Sequence, residues 1–237
     1  MNNFVCLDNF QAKEKIIVMR VISKDMKSVL CALAVLFITS LSAQAVEIKD
    51  LFMNEPGVVF ELLPEATRIS MISYHENEQN VYATNRAGNS SHIAALEPCH
   101  MVVEMSAGRT VELQLLVTGT DSVVMVIDHY KTPYPDGVVT FYDTKWKQLK
   151  ASKYFKAPTI ENFIKPGTPK DVVKDIRQNV AFPLIDYELE GGAVQLTARQ
   201  HLAAFYGETD YKRWKPYLYD VLVYGIKYNK LSFTVAK

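Results

Sequence analysis

Residues 110–118, TVELQLLVT, and 122–130, SVVMVIDHY, decide the fold. Both are rich in β-branched and aliphatic side chains, and Gly119-Thr120-Asp121 between them is too short for anything but an antiparallel return. In Val111-Glu112-Leu113-Gln114-Leu115 apolar and polar residues alternate, which predicts a strand with one buried and one wet face. In Val123-Val124-Met125-Val126-Ile127 every residue is apolar, which predicts a central strand with helices covering one side. Outward from this pair, Met101–Met105 and Val138–Tyr142 read as further strands, reached through turns at Ser106-Ala107-Gly108 and Pro133–Gly137.

Flanking segments read as helices and hairpins. Glu47–Asn54 is short and amphipathic; Pro64–His75 opens with a proline and Glu65 in its first turn, and Ala66, Ile69 and Ile72 form its predicted apolar stripe. Within the polar stretch that follows, Val81-Tyr82-Ala83 reads as a short strand and Ala87-Gly88-Asn89-Ser90 as a turn. Thr159–Ile164 is a short helix, and Thr168-Pro169-Lys170-Asp171 starts a longer one whose apolar face is Val172, Val173, Ile176 and Val180. Two hairpins close the chain: Leu184–Glu190 with Ala193–Arg199 around Gly191-Gly192, and Val221–Tyr228 with Leu231–Val235 around Asn229-Lys230. The order helix-then-sheet occurs twice, in the manner of a duplicated unit, although no residue-level repeat accompanies it. The fold class is α+β, a mainly antiparallel sheet with helices packed on one face, in a single domain over 46–237.

The N-terminus reads as an address. Lys24 and Lys27 precede an apolar run from Val29 to Leu41, followed by Ala43-Gln44-Ala45, the basic, apolar and small-residue order of a secretory signal. That run is shorter than the roughly 20 residues that span a bilayer. Met26 gives a compact signal, whereas Met1–Asp25 carries acids of its own, so Met26 reads as the biological start. Cleavage after Ala45 predicts a periplasmic or secreted protein with nothing further to hold it in a membrane. It removes Cys6 and Cys31, which leaves Cys99 as a small core residue without an intramolecular disulfide. The 26 basic and 26 acidic side chains balance, which removes the electrostatic basis for a nucleic-acid partner.

Chemistry-bearing motifs are sparse. The five histidines never pair at i, i+4, and there is no phosphate-cradling glycine loop and no G-x-S-x-G elbow, so neither a metal nor a cofactor is expected. The nearest approach to a catalytic cluster is Asp128-His129 at a strand end, with Asp136 close in sequence. Adjacent strand residues point to opposite faces, however, so Asp128 cannot orient His129. A second candidate is aromatic: Tyr211, Trp214, Tyr217 and Tyr219, beside Lys212, Arg213 and Lys215, form the predicted binding surface for a protein or glycan partner of the cell envelope.

Several motifs carry a likeness: Leu62-Leu63-Pro64, Thr84-Asn85-Arg86, Phe141-Tyr142-Asp143-Thr144-Lys145-Trp146, Ala157-Pro158-Thr159-Ile160-Glu161-Asn162-Phe163, Leu196-Thr197-Ala198 and Lys215-Pro216-Tyr217-Leu218. With the signal segment, they make the chain resemble a family of exported proteins of unknown function from anaerobic gut-type Gram-negative bacteria. The resemblance spans nearly all of the mature chain, rests on turn and packing residues, and implies no activity, ligand or catalytic residue. The chain departs from it at Tyr224-Gly225-Ile226 and Asn229-Lys230-Leu231, where a tryptophan and a Gly-Lys-Phe stretch would be expected. The expected function is an exported non-catalytic binding or structural module of the envelope, and the competing expectation is an unrecognised periplasmic hydrolase, to be favoured by a cleft that encloses His129 with an acid from another strand. Material exported by a Gram-negative host should begin at Val46; N-terminal sequencing checks this, and retention of residues 29–41 in the soluble fraction would refute it.

Overall fold

Two antiparallel sheets share the chain. The structure, a computed structural model, describes residues 46–79, 81–118, 121–131, 133–190, 195–227 and 232–235. The predicted signal segment, its cleavage site at Ala45 and the Met26 start lie outside the described residues, as do the turns Gly191-Gly192 and Asn229-Lys230. The first sheet runs in simple sequence order: β1 (Ala83–Thr84), β2 (Ser90–Leu96), β3 (His100–Ser106), β4 (Arg109–Thr118), β5 (Asp121–Tyr130), β6 (Asp136–Asp143) and β7 (Gln148–Leu149). The second is the four-stranded meander β8 (Ile185–Glu190), β9 (Gln195–Gln200), β10 (Val221–Lys227) and β11 (Ser232–Val235). Before the first sheet stand α1 (Ile48–Met53) and α2 (Glu65–Glu76); between the sheets stand α3 (Ile160–Phe163) and α4 (Lys170–Asn179); α5 (Leu202–Trp214) and a 3₁₀ turn (Lys215–Tyr217) are inserted between β9 and β10. The α+β class and the antiparallel sheet thus stand, and none of the helices among the described residues is long and apolar enough to cross a membrane.

Each face of the central strand β5 serves its own core. Val124 and Val126 join Met101, Val103, Val111 and Leu113 beneath α1 and α2, with Ile48, Phe52, Met71 and Ile72. Val123, Met125 and Ile127 point the other way, to a core shared with Tyr187, Leu196 and Tyr224 of the second sheet and with Phe163, Ile176 and Trp214 of the helices. Helices therefore cover one face of the large sheet, and the second sheet with its own helices covers the other. This corrects the expectation of a wet face on 111–115: Glu112 and Gln114 are buried, because the face they point to is roofed.

The α2 stripe is also corrected. Ile69 is 47% exposed, whereas Arg68, Met71 and Ile72 are buried. Arg68 is enclosed because it organises the α1–α2 connection: Nε donates to the Phe52 carbonyl at 2.8 Å, Nη1 to Leu63 O at 2.5 Å, and Nη2 to Met53 O at 3.2 Å and to Glu55 O. The fully buried Glu55 carboxylate lies 3.8 Å from the guanidinium and accepts amide hydrogens from Gly57, Val58, Val59 and Phe60. Burial pushes the Arg68 pKa down, against the attraction of Glu55 and Glu65.

Other differences are local. The strand expected at 81–83 falls on Ala83–Thr84, and β2 and α5 carry no clear signature in the sequence. Cys99 is half-buried at the edge of the first core rather than enclosed in it. It is also disulfide-bonded rather than a free thiol. Removing one partner of a buried ion pair strands the other, so Arg68→Ala should lower unfolding free energy by about 3–5 kcal/mol. Urea unfolding measures this, and a loss below about 1 kcal/mol would mean that the loop does not depend on the pair.

Candidate functional site

At one corner of the seam, β4, β5, β6 and β8 bring their polar residues together. Register places Glu112 opposite Ile127 and Thr110 opposite His129, so Thr110, Glu112 and His129 share the face that looks toward the second sheet. His129 Nε2 lies 3.2 Å from Glu112 Oε2, and its Nδ1 lies 2.8 Å from Asp186 Oδ1 on β8. On the far side of Glu112, His100 Nε2 lies 2.6 Å from Oε1. One carboxylate is thus held between two imidazoles, one of which reaches across to a carboxylate of the other sheet.

Close backbone approach makes this reach possible. A β-carbon on Gly137, the cross-strand partner of His129, would sit 3.0 Å from the Tyr187 ring, 3.3 Å from Asp186 Oδ1 and 3.4 Å from the Ile185 carbonyl oxygen. Asp136 beside it accepts the Ile185 amide at 3.0 Å. The Asp186 oxygen that meets His129 also accepts the Tyr187 amide, at 2.9 Å.

Burial alone would push the His129 pKa down, but the hydrogen bonds to Asp186 and Glu112 outweigh it and lift the value to about 9. His129 is therefore a cation at neutral pH and donates from both ring nitrogens. The bond to Glu112 likewise raises His100, against its burial. Burial works to raise Glu112, and the two histidines overcome it to hold the carboxyl below its ordinary range. The partially buried His201 is pushed down by burial, against the pull of Asp186 and Asp136.

The sequence candidates divide accordingly. His129 does meet acids from other strands, Glu112 and Asp186, neither of which was singled out. Asp128 does not orient it: on the opposite face it holds Arg109 at 2.9 and 2.7 Å and accepts from the Tyr130 hydroxyl at 3.0 Å. Asp136 pins β8. A general base needs an unprotonated nitrogen within reach of substrate, and His129 presents a protonated ring with both nitrogens engaged. Among the described residues, no group of His, Cys, Asp and Glu is placed to hold a metal.

The predicted aromatic surface is corrected by burial. Trp214 is 1% exposed, its Nε1 donating to Asp175 Oδ2 at 2.7 Å, and Tyr211 is buried with its hydroxyl bonded to Gln200 and Asp220. Tyr217 is half-buried in the 3₁₀ turn, and Tyr219 is exposed beneath the Lys165 ammonium. The rings that do cluster near the surface are others: Phe205 on α5 meets the half-buried Tyr134 of the β5–β6 connection at 5.3 Å and Phe182, which precedes β8, at 5.5 Å. Phe182 and Phe205 are 50% and 41% exposed. Both stand in short apolar runs, Val180-Ala181-Phe182-Pro183-Leu184 and Leu202-Ala203-Ala204-Phe205-Tyr206, which read as core and give no advance signal of a surface.

A family model described as protein of unknown function (DUF3256) matches residues 40–233. The chain belongs to the DUF3256 family. Among solved structures, this DUF3256 chain is similar to a domain of an uncharacterized protein from Porphyromonas gingivalis W83, with 19% identity and a TM-score of 0.66 over 79% of this chain and 96% of that one. At that identity the likeness is one of fold. No curated protein matches significantly. The motifs by which the sequence resembled a family do structural work. Asn85 donates to Ser91 Oγ at 3.1 Å and to Met105 O at 2.9 Å; Thr159 and Asn162 form the capping box of α3; Trp146, at a φ of 62°, donates to Leu51 O at 3.0 Å.

The cluster makes stability pH-dependent. The folded pKa of His129 lies above the unfolded value of 6.5, so its contribution is complete below about 6.5 and is lost as pH rises through about 9. Glu112 shifts downward, so its contribution is present above its ordinary 4.5 and is lost as pH falls. Unfolding free energy should therefore peak between these limits and fall by about 3 kcal/mol on the alkaline side. His129→Gln should flatten that limb; an unchanged limb in urea titrations of the variant would exclude His129 as its source.

Proposed function

We propose that this DUF3256 chain is an exported, non-catalytic binding module of the bacterial cell envelope, and that it takes its partner on the Tyr134–Phe205–Phe182 surface. The observation that carries the reading is that Phe205 meets both Phe182 and the half-buried Tyr134 while the two phenylalanines stay about half in water. Folding removes isolated apolar rings from solvent where it can, and a contiguous exposed group is how a surface prepares to bury area against a partner. Phenylalanine has no polar handle, so a protein partner offering aliphatic or aromatic side chains suits this surface better than a glycan. Export rests on the signal-like segment that ends at Ala45, and it places the partner in the periplasm or outside the cell.

The hydrolase reading draws on the meeting of His129 with Glu112 and Asp186. It lacks an available base, and none of the nucleophile motifs stands near that cluster in the sequence. Capture from envelope extract by wild type, Phe182→Ala, Phe205→Ala and Tyr219→Ala, each first checked for an unchanged melting temperature, tests the proposal. Loss of a central aromatic anchor commonly costs about 2 kcal/mol, so the two phenylalanine variants should lose capture by about 30-fold while Tyr219→Ala retains it. Full capture by Phe182→Ala and Phe205→Ala, with loss in Tyr219→Ala, would move the surface to the 3₁₀ turn.

A further inference from the structure

The aromatic surface and the charged cluster sit on the same stretches of chain. Tyr134 lies between His129 and Asp136, in the connection that leaves the large sheet and returns to it. Phe182 stands just before Ile185 and Asp186 of β8, and Phe205 just after β9 and His201. The ring contact of Tyr134 with Phe205 therefore crosses the seam between the sheets, as does the bond from His129 to Asp186. Resting on the reading of that surface as the binding face, we propose that His129, Glu112 and Asp186 form a latch whose closure assembles the face, and whose release parts Tyr134 from Phe205 while each sheet stays folded.

Three features support a latch rather than a general cohesion of the core. The seam at this corner is polar, unlike the apolar layer deeper between the sheets, where Met125, Ile127 and Phe141 meet Tyr187 and Tyr224. β8 is an edge strand: its ladder runs only to β9, so its first residues are held to the large sheet by Asp136, His129 and the close approach at Gly137. Among the described residues, the Thr110 hydroxyl and His201 Nε2 are buried with no hydrogen-bond partner, a cost of keeping this corner closed that the latch helps to offset.

The charges around His129 favour the closed form near neutrality. Glu112 faces it from β4 and Asp186 from β8; Arg199 on β9 stands opposite Asp186, and Asp186, Arg199 and Asp136 on β6 all act on His201 after β9. His100, itself near Glu97, shares Glu112. Arg109, Asp128 and Tyr130 neutralise one another on the opposite face. Loss of the His129 proton leaves two facing carboxylates without the cation between them, and the latch opens.

The test reads the ring contact itself, without any partner, so its outcome does not depend on whether the surface binds one. In wild type at pH 7, ring protons of Tyr134 and Phe205 should show a nuclear Overhauser contact, as expected for centroids 5.3 Å apart. His129→Gln should lose it while cross-strand amide contacts within β3–β4–β5 and β8–β9–β10 persist. Titration of wild type to pH 10 is the second arm, with fading of the ring contact near pH 9 expected before any strand contact is lost. Retention of the ring contact in folded His129→Gln or at pH 10 overturns the latch. So does simultaneous loss of ring and strand contacts in both arms, which would mean that the sheets open only by unfolding together.

Discussion

The bond from His129 to Asp186 sets the geometry of the seam, because it is where a polar group of one sheet must find its partner on the other. Apolar contacts are tolerant of small sliding motions; a cation donating from two nitrogens to carboxylates on two strands is not. Fixing β8 at this corner fixes the approach of Gly137 to Tyr187, and with it the angle at which Tyr187, Leu196 and Tyr224 meet the face of β5 and β6. The buried ion pairs also limit what this arrangement contributes to stability. Desolvating His129 and Glu112 costs much of what their attraction returns, so the pairs serve the register of the two sheets more than their adhesion. Arg68 and Glu55 apply the same logic at the other core, where a pair formed between α2 and the α1–α2 connection satisfies carbonyls and amides of that connection.

How much of this could be read from the chain depends on what each signal measures. Period-two alternation and runs of β-branched residues measure strand geometry, and β3 to β6 were legible from them to within a residue or two at their ends. Proline measures helix starts: Pro64 and Pro169 fall at the N-caps of α2 and α4. Alternation does not measure what lies over a face. Glu112 and Gln114 marked their face as polar, and polar was read as wet, whereas the second sheet, some seventy residues later, roofs it. Arg68 was hidden for the same reason, since a cation inside a helix reads as solvent-facing until the carbonyls that surround it are known. The helix α5 lacked a signature because Gly207, at a φ of 78°, breaks it near its middle and leaves two short pieces, neither with a clear stripe.

The candidate site was legible only as a name. His129 could be singled out, and the opposition of Asp128 followed from the pleat. Its true partners could not be found that way, because Glu112 and Asp186 reach it through strand register and through the packing of two sheets, neither of which leaves a local mark. The aromatic residues erred in the opposite sense. Tyrosines and tryptophan crowded into residues 206–224 suggested a surface, yet Tyr206 stacks edge-on against Trp214 at 5.4 Å, and Trp214 fills the space between α4 and α5. A large ring with one polar atom is as well suited to a core that offers it one acceptor as to an interface, and Asp175 supplies that acceptor.

Placed side by side, the cluster and the exposed rings invert the usual partition of a globular protein. At this corner charges are inside and phenylalanines outside. Each half of the inversion makes sense in terms of the other. An apolar seam between the ends of β5–β6 and β8 would have drawn Tyr134, Phe182 and Phe205 inward, to be buried with the rest of the second core. A polar seam gives them no place, and with the core already filled by Phe155, Tyr187 and Tyr224 the rings pack at its edge, Phe205 against Tyr134, Phe182 and Tyr206. The charge on His129 thus does two things with one group: it holds the sheets at a fixed separation, and it keeps that separation unattractive to the aromatic side chains at its mouth.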